Sequence, residues 1–112
     1  ITKIFKYLNI NKKFFKSSKI LPKGQYKNKT WIAEICKARE GTIYINSSGG
    51  RLLYKDDFFK SYNLDLQFLK PNFSKYMQFS KVFLPGLSML DVLMHNSKEE
   101  VRKLLIDCII EK

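Results

Sequence analysis

Residues 27–50, KNKTWIAEICKAREGTIYINSSGG, decide how this chain folds. Asn28 and Thr30 are both residue types that cap helix N-termini. Trp31, Ile32, Ile35, Cys36 and Ala38 then fall on one face of a 3.6-residue period. Gly41 stands where a helix commonly ends in a left-handed residue. TIYIN follows at once, β-branched and aromatic, with the length of a buried strand. The stretch therefore reads as helix, glycine stop, strand, and then a diglycine corner at Gly49 and Gly50.

Working outward, residues 50–61 read as one or two helical turns with Leu52, Leu53, Phe58 and Phe59 facing inward, stopped by Asn63. LDLQFL is a further strand, ended by Pro71. Residues 72–86 show no clean period and read as loop. LSMLDVLM is a short helix, and Ser97-Lys98-Glu99-Glu100 is a capping box that opens the last one. Val101, Leu104, Leu105, Cys108 and Ile109 form the expected stripe of that last helix. Upstream, Ile1, Ile4, Phe5 and Leu8 make a helical face that ends at Asn9 and Asn11. KKFFKSS, residues 12–18, reads as a strand centred on Phe14 and Phe15, and Pro22 and Gly24 mark a loop.

The order is thus α-β-α-β-α-β-α-α. Strands separated by helices imply parallel pairing with right-handed crossovers. The expected fold is α/β: a small three-layer domain with a short, mainly parallel three-stranded sheet and flanking helices, one domain over residues 1–112. Parallel strands point their C-terminal ends to one edge, and ligands in such sheets bind there. That edge would gather Ser17-Ser18, the segment from Asn46 to Gly50, and the chain after Leu69. Ile1 stands in place of Met in an already amphipathic first turn, so the chain reads as a piece of a longer protein.

Composition narrows the classes. The 112 residues carry 21 Lys and Arg against 10 Asp and Glu. Almost all the excess lies in residues 1–56, and residues 1–29 hold nine lysines and no acid. Such a patch attracts phosphate, anionic lipid or nucleic acid, or faces an acidic partner domain. Yet 18 of the 21 are Lys, and Arg is the better reader of phosphates and base edges. The balance reads first as a solvated or partner-facing surface, next as a seat for an anionic or phosphorylated small molecule, and last as nucleic-acid binding. No window is apolar enough to span a membrane, and no secretory pattern opens the chain. Cys36 and Cys108 each fall on the apolar face of an expected helix. They read as two thiols in a reducing cytoplasm, with a disulfide left open. No zinc-type cluster is present.

The chemistry candidates are few. Gly49 and Gly50 permit positive φ, and successive N–H groups there would make an anion nest. Asn46, Ser47 and Ser48 would add donors and Arg51 a charge, with plain turn geometry as the competing reading. Tyr76 and Gln78 could reach the ligand edge or simply pack over the sheet. Ser88 and Asp91 read as structural, Ser88 capping a helix and Asp91 holding the loop. His95, the sole histidine, reads as packing, and Asp56-Asp57 as helix-start acids rather than a metal pair. No nucleophile–base–orienter set is visible, and the sequence names no metal or cofactor.

SSKIL at 17–21, the 27–71 stretch, YMQF at 76–79 and FLPGLSMLDVLMHNSKEEV at 83–101 together resemble the C-terminal half of WbqC-like proteins. The carrying elements are GG-x-x-x-Y at 49–54, Y-x-Q at 76–78 and LS-x-x-D-x-L at 87–93, and the resemblance implies functional positions at Gly49, Gly50, Tyr54, Tyr76, Gln78, Ser88 and Asp91, with Tyr54 a ligand candidate. The resemblance covers nearly all of residues 1–106. It implies a bacterial protein of surface-polysaccharide, O-antigen-type biosynthesis, a transferase on a sugar or nucleotide-sugar substrate. Members carry an N-terminal half with a Q-P-Y-x-x-P-Y-type motif that is not in this sequence. The resemblance thus implies an active site incomplete in this chain, with the missing half as a partner. Some members have His-Pro before Y-x-Q, where this chain has Ser74-Lys75. Two other readings stay open: a non-catalytic docking module, and a nucleic-acid binder working through the Lys-rich end.

Overall fold

The computed structural model describes residues 1–22 and 24–112, so Lys23, inside the expected Pro22–Gly24 loop, lies outside the described residues. Two compact units emerge: Ile1–Asn11 with Pro71–Ile109, and Lys12–Lys70 with Ile110–Lys112.

The second of these holds most of the sheet. Helix α2 (Asn28–Ala38) leads into strand β1 (Ile43–Ser47). A 3-10 turn (Ser48–Leu52) and helix α3 (Asp56–Lys60) then lead to strand β2 (Asp65–Pro71). β1 and β2 pair in parallel, from Ile43 opposite Asp65 to Ser47 opposite Leu69. The third strand is β3 (Cys108–Glu111), and the sheet order is β1-β2-β3.

Four expectations need correction here. Residues 12–18 form no strand; only a 3-10 turn at Ser17–Lys19 is present, with Phe14 and Phe15 about half exposed. The third strand comes instead from the C-terminal end, where a helix was expected through Ile109. β3 pairs antiparallel, so the sheet has one parallel pair and is not mainly parallel. The three-layer expectation fails on burial. Tyr44, Leu66 and Phe68 turn to a core with Ala33 of α2 and Phe59 of α3. On the other face of the sheet, Ile43 and Ile45 are nearly half exposed. Both helices thus pack on one face, and strand side chains alternate between core and solvent.

Phe59, fully buried, is the centre of that core. It stacks on Tyr44 at 5.1 Å and meets Tyr54 and Phe58 edge-on. Leu52 and Leu53, expected inside, are exposed instead. The 3-10 turn reverses its backbone at Gly50, which accepts from the N–H groups of Leu53 and Tyr54, and this gives the inward position to Tyr54. α2 stops through Glu40, which takes φ 54°, one residue before the expected Gly41. The Gly41 N–H then closes onto the Cys36 carbonyl at 2.8 Å.

The other unit is helical. It contains α1 (Thr2–Tyr7), α4 (Met89–His95) and α5 (Lys98–Ile106). Both halves of the predicted capping box form: the Glu100 N–H donates to Ser97 Oγ, and the Ser97 N–H to Glu100 Oε2. Arg102 of α5 donates from Nε to the Leu8 carbonyl at 2.7 Å and from Nη2 to that of Asn9. A cation is thereby placed on the carbonyl end of α1, where the helix dipole favours it. Leu8 and Val101 are the fully buried side chains of this unit. Among the described residues, no helix is long and apolar enough to cross a membrane.

Candidate functional site

The diglycine corner follows directly from β1. Asn46, the fourth residue of the strand, folds its side chain back so that Oδ1 accepts the Ser47 N–H at 2.8 Å. Its amide then lies over Gly50: a Cβ there would stand 2.5 Å from Asn46 Nδ2 and 3.3 Å from the Tyr54 ring. Gly50 is buried for that reason. Neither Gly49 nor Gly50 takes positive φ, so the expected left-handed nest does not form. Close approach, rather than backbone handedness, explains the second glycine.

The charges at this corner are already paired. Arg51 meets Glu111 at 2.8 Å and donates to the Lys112 carbonyl at 3.1 Å. Its guanidinium also lies 4.5 Å from the centre of the Phe68 ring. Below it, a depression of about 270 Å³ is bounded by Arg51, Tyr54, Lys60 and Phe68. Lys60 is held by Asp56 at 2.5 Å. Tyr54 belongs to the aromatic core, and burial, followed by Tyr54, pushes the Tyr44 phenol above its ordinary pKa.

The other sequence-selected residues, Tyr76, Gln78, Ser88 and Asp91, sit in the helical unit. Tyr76 donates its hydroxyl to Asp91 Oδ2 at 2.6 Å. That bond is the main reason the phenol pKa is raised, since the carboxylate holds the proton on Tyr76. Gln78 is spent on the chain itself: it donates to the Leu84 carbonyl and accepts the Leu84 N–H, closing residues 78–84 into a loop. Ser88 occupies the N-cap position of α4, but its side chain makes no capping hydrogen bond.

One turn after Asp91 stands His95, which sequence reasoning set aside. Its ring is 12 % exposed, with Nδ1 3.0 Å from the Asp91 carbonyl oxygen and 3.7 Å from Asp91 Oδ1. A carbonyl only accepts, so in the neutral imidazole this contact places the ring proton on Nδ1. Nε2 is then a bare lone pair, buried without a hydrogen-bond partner. Phe79, 95 % exposed, lies edge-on against the imidazole at 4.6 Å, and Phe83 lies edge-on against Tyr76. The i, i+4 spacing of Asp91 and His95 was the sequence signal for this pair; Tyr76 joins it only through the fold.

A comparison with family models matches the WbqC-like protein family over residues 1–103. The chain belongs to the WbqC-like protein family. No curated protein and no solved structure matches it. The family match takes in the diglycine corner, Tyr76, Gln78, Asp91 and His95 of this WbqC-like chain, while β3 lies beyond it. Among its described residues, no group of three or more His, Cys, Asp or Glu side chains could hold a metal ion. Cys36 and Cys108 are free thiols, Cys108 on β3 rather than on the expected helix.

Proposed function

We propose that this chain is the C-terminal part of a longer WbqC-like protein of bacterial surface-polysaccharide, O-antigen-type biosynthesis, a transferase acting on a sugar or nucleotide-sugar. Family membership supports the polysaccharide part of the reading. The single observation that carries the chemistry is the orphaned lone pair on His95 Nε2. A buried acceptor without a donor is costly, and a sugar hydroxyl supplies that donor.

In this reading the acceptor hydroxyl donates to Nε2 and attacks the transferred group of an activated donor. The hydroxyl proton passes to Nε2 as the new bond forms, and the donor's leaving group departs with its bonding electrons. Asp91, 3.7 Å from Nδ1, counters the positive charge on the ring. Tyr76 keeps its proton and fixes the carboxylate. Phe79 must swing aside to admit the ligand, a rotation that is fast for an exposed side chain. The uncovered ring is also a flat apolar face of the kind that packs on the CH face of a pyranose.

Thermal-shift screening of sugars and nucleotide-sugars tests the reading, on this chain and on the longer protein, each with His95 and with His95→Phe. A ligand that stabilises the parent and loses its effect in His95→Phe supports it. A panel that stabilises neither protein sinks it. A second reading, a docking module, draws on the exposure of Met77, Phe79 and Val82 along one loop.

A further inference from the structure

We propose that the groove formed by residues 14–20 and 38–39 binds a nucleoside diphosphate. The groove lies in the sheet-bearing unit and is an open depression of about 560 Å³, within the size range of small-ligand sites. Phe14, Phe15, Lys16, Lys19 and Arg39 line it. The segment that was expected to be a strand is open chain, and this is what leaves both rings half exposed. Arg39, the residue after the end of α2, lies flat over Phe15 with its guanidinium carbon 3.9 Å from the ring centre.

The chemistry is that of a base and its phosphates. The Phe15 ring, 54 % exposed, offers a face for stacking a heterocycle, and the planar Arg39 extends the stack. Among the described residues, no salt bridge engages Lys16, Lys19 or Arg39. Three cations without carboxylate partners therefore surround one cavity. They match the charge of a diphosphate, and Arg39 presents the fork that binds phosphate oxygens in pairs. This differs from the diglycine corner, where Arg51 and Lys60 are already neutralised.

The arrangement favours a mononucleotide over a polynucleotide. Single-strand binders line a long basic track with successive stacking rings. Here two rings at consecutive positions and three cations converge on one depression. The inference rests on the nucleotide-sugar reading above.

The test is calorimetric titration of the full chain with uridine diphosphate and adenosine diphosphate, with inorganic pyrophosphate and a short oligothymidylate as comparison arms. Both nucleotides should bind about tenfold or more tightly than pyrophosphate, the difference being the stacked base. Phe15→Ala should remove that preference and leave pyrophosphate binding unchanged, while Phe15→Tyr should restore it. Arg39→Gln should weaken all the diphosphates together. Circular dichroism confirms that each variant is folded; Phe15 is 54 % exposed, so its truncation leaves the core intact. Equal binding of nucleotides and pyrophosphate overturns the proposal, as does absence of binding by a folded protein. Tighter, steeply salt-dependent binding of oligothymidylate assigns the groove to nucleic acid instead and also overturns it. The two readings fail separately. Lost nucleotide binding with an intact His95→Phe effect sinks only the groove, and the reverse pattern sinks only the His95 cluster.

Discussion

Arg51 and Glu111, sixty residues apart, meet at 2.8 Å. The same guanidinium reaches the Lys112 carbonyl and lies over Phe68 of β2. One side chain thus ties the diglycine corner to the last strand, and Lys70 adds a longer contact to Glu111 at 3.8 Å.

Arg51→Ala should cost about 1 kcal/mol. The ion pair is more than a third exposed on both sides, which holds its own share to about 0–1 kcal/mol after solvent screening. Loss of the guanidinium over Phe68 adds about 0.5–1 kcal/mol. Urea unfolding at low and high salt checks this: salt should shrink the ion-pair share and leave the aromatic share. No change at low salt would mean that the contact contributes nothing.

Gly49→Ala and Gly50→Ala should differ in sign or nearly so. At Gly49 a Cβ meets nothing within 4 Å and φ is not positive. That substitution should be neutral or stabilise by about 0.4–1 kcal/mol through the unfolded chain. At Gly50 the Cβ collides with Asn46 Nδ2 at 2.5 Å and presses on Tyr54. Asn46 must give up its bond to the Ser47 N–H to make room, so about 1–3 kcal/mol should be lost. Equal effects in chemical denaturation would refute the close-approach account.

Phe59→Ala should be the most damaging single truncation in the sheet-bearing unit. The ring is fully buried between Tyr44, Tyr54 and Phe58. Loss of a buried Phe costs about 3–5 kcal/mol. Loss of cooperative unfolding, followed by near-ultraviolet circular dichroism, is the expected readout. A midpoint shift no larger than that of an exposed-site control such as Leu52→Ala would place the core elsewhere; Leu52 is 93 % exposed.

The elements legible in the sequence were those with local signals. The α2–β1–α3–β2 run carries its own periods and stops, and the capping box at Ser97 is a four-residue pattern. Errors arose where the deciding partner was distant. Cys108 and Ile109 continue the helical spacing of Leu104 and Leu105, yet α5 ends at Ile106 and CIIE extends as β3. Strand pairing with β2 outweighs the spacing, as tertiary context does for short β-branched runs. Phe14-Phe15 misled in the opposite sense, because an apolar pair without alternation and without a sheet partner stays open chain. At the site, Asp91 and His95 were readable as an i, i+4 pair. The orphaned Nε2 was not, since it depends on which atoms the fold withholds.

Asp107 should make stability depend on pH in a way that one hydroxyl controls. It follows the last residue of α5 and accepts from Ser74 Oγ and from Asn72 Nδ2, while its carbonyl accepts the Asn72 N–H. The Ser74 hydroxyl first, then the Asn72 amide, holds the carboxyl below its ordinary pKa. A carboxylate depressed in the folded state stabilises above its unfolded pKa, and that contribution is lost as pH falls through the folded value. Ser74→Ala removes the larger cause. The melting-temperature gap between parent and Ser74→Ala should be full near neutral pH and close as pH falls through the depressed folded-state pKa of Asp107. Glu100, also depressed by its Ser97 bonds, is common to both proteins and cancels in the difference. Against Asp107→Asn, which cannot titrate, Ser74→Ala should give a gap that no longer follows the carboxylate range. A parent-to-Ser74→Ala gap that stays constant across the whole range would show that the Asp107 carboxylate does not supply this coupling.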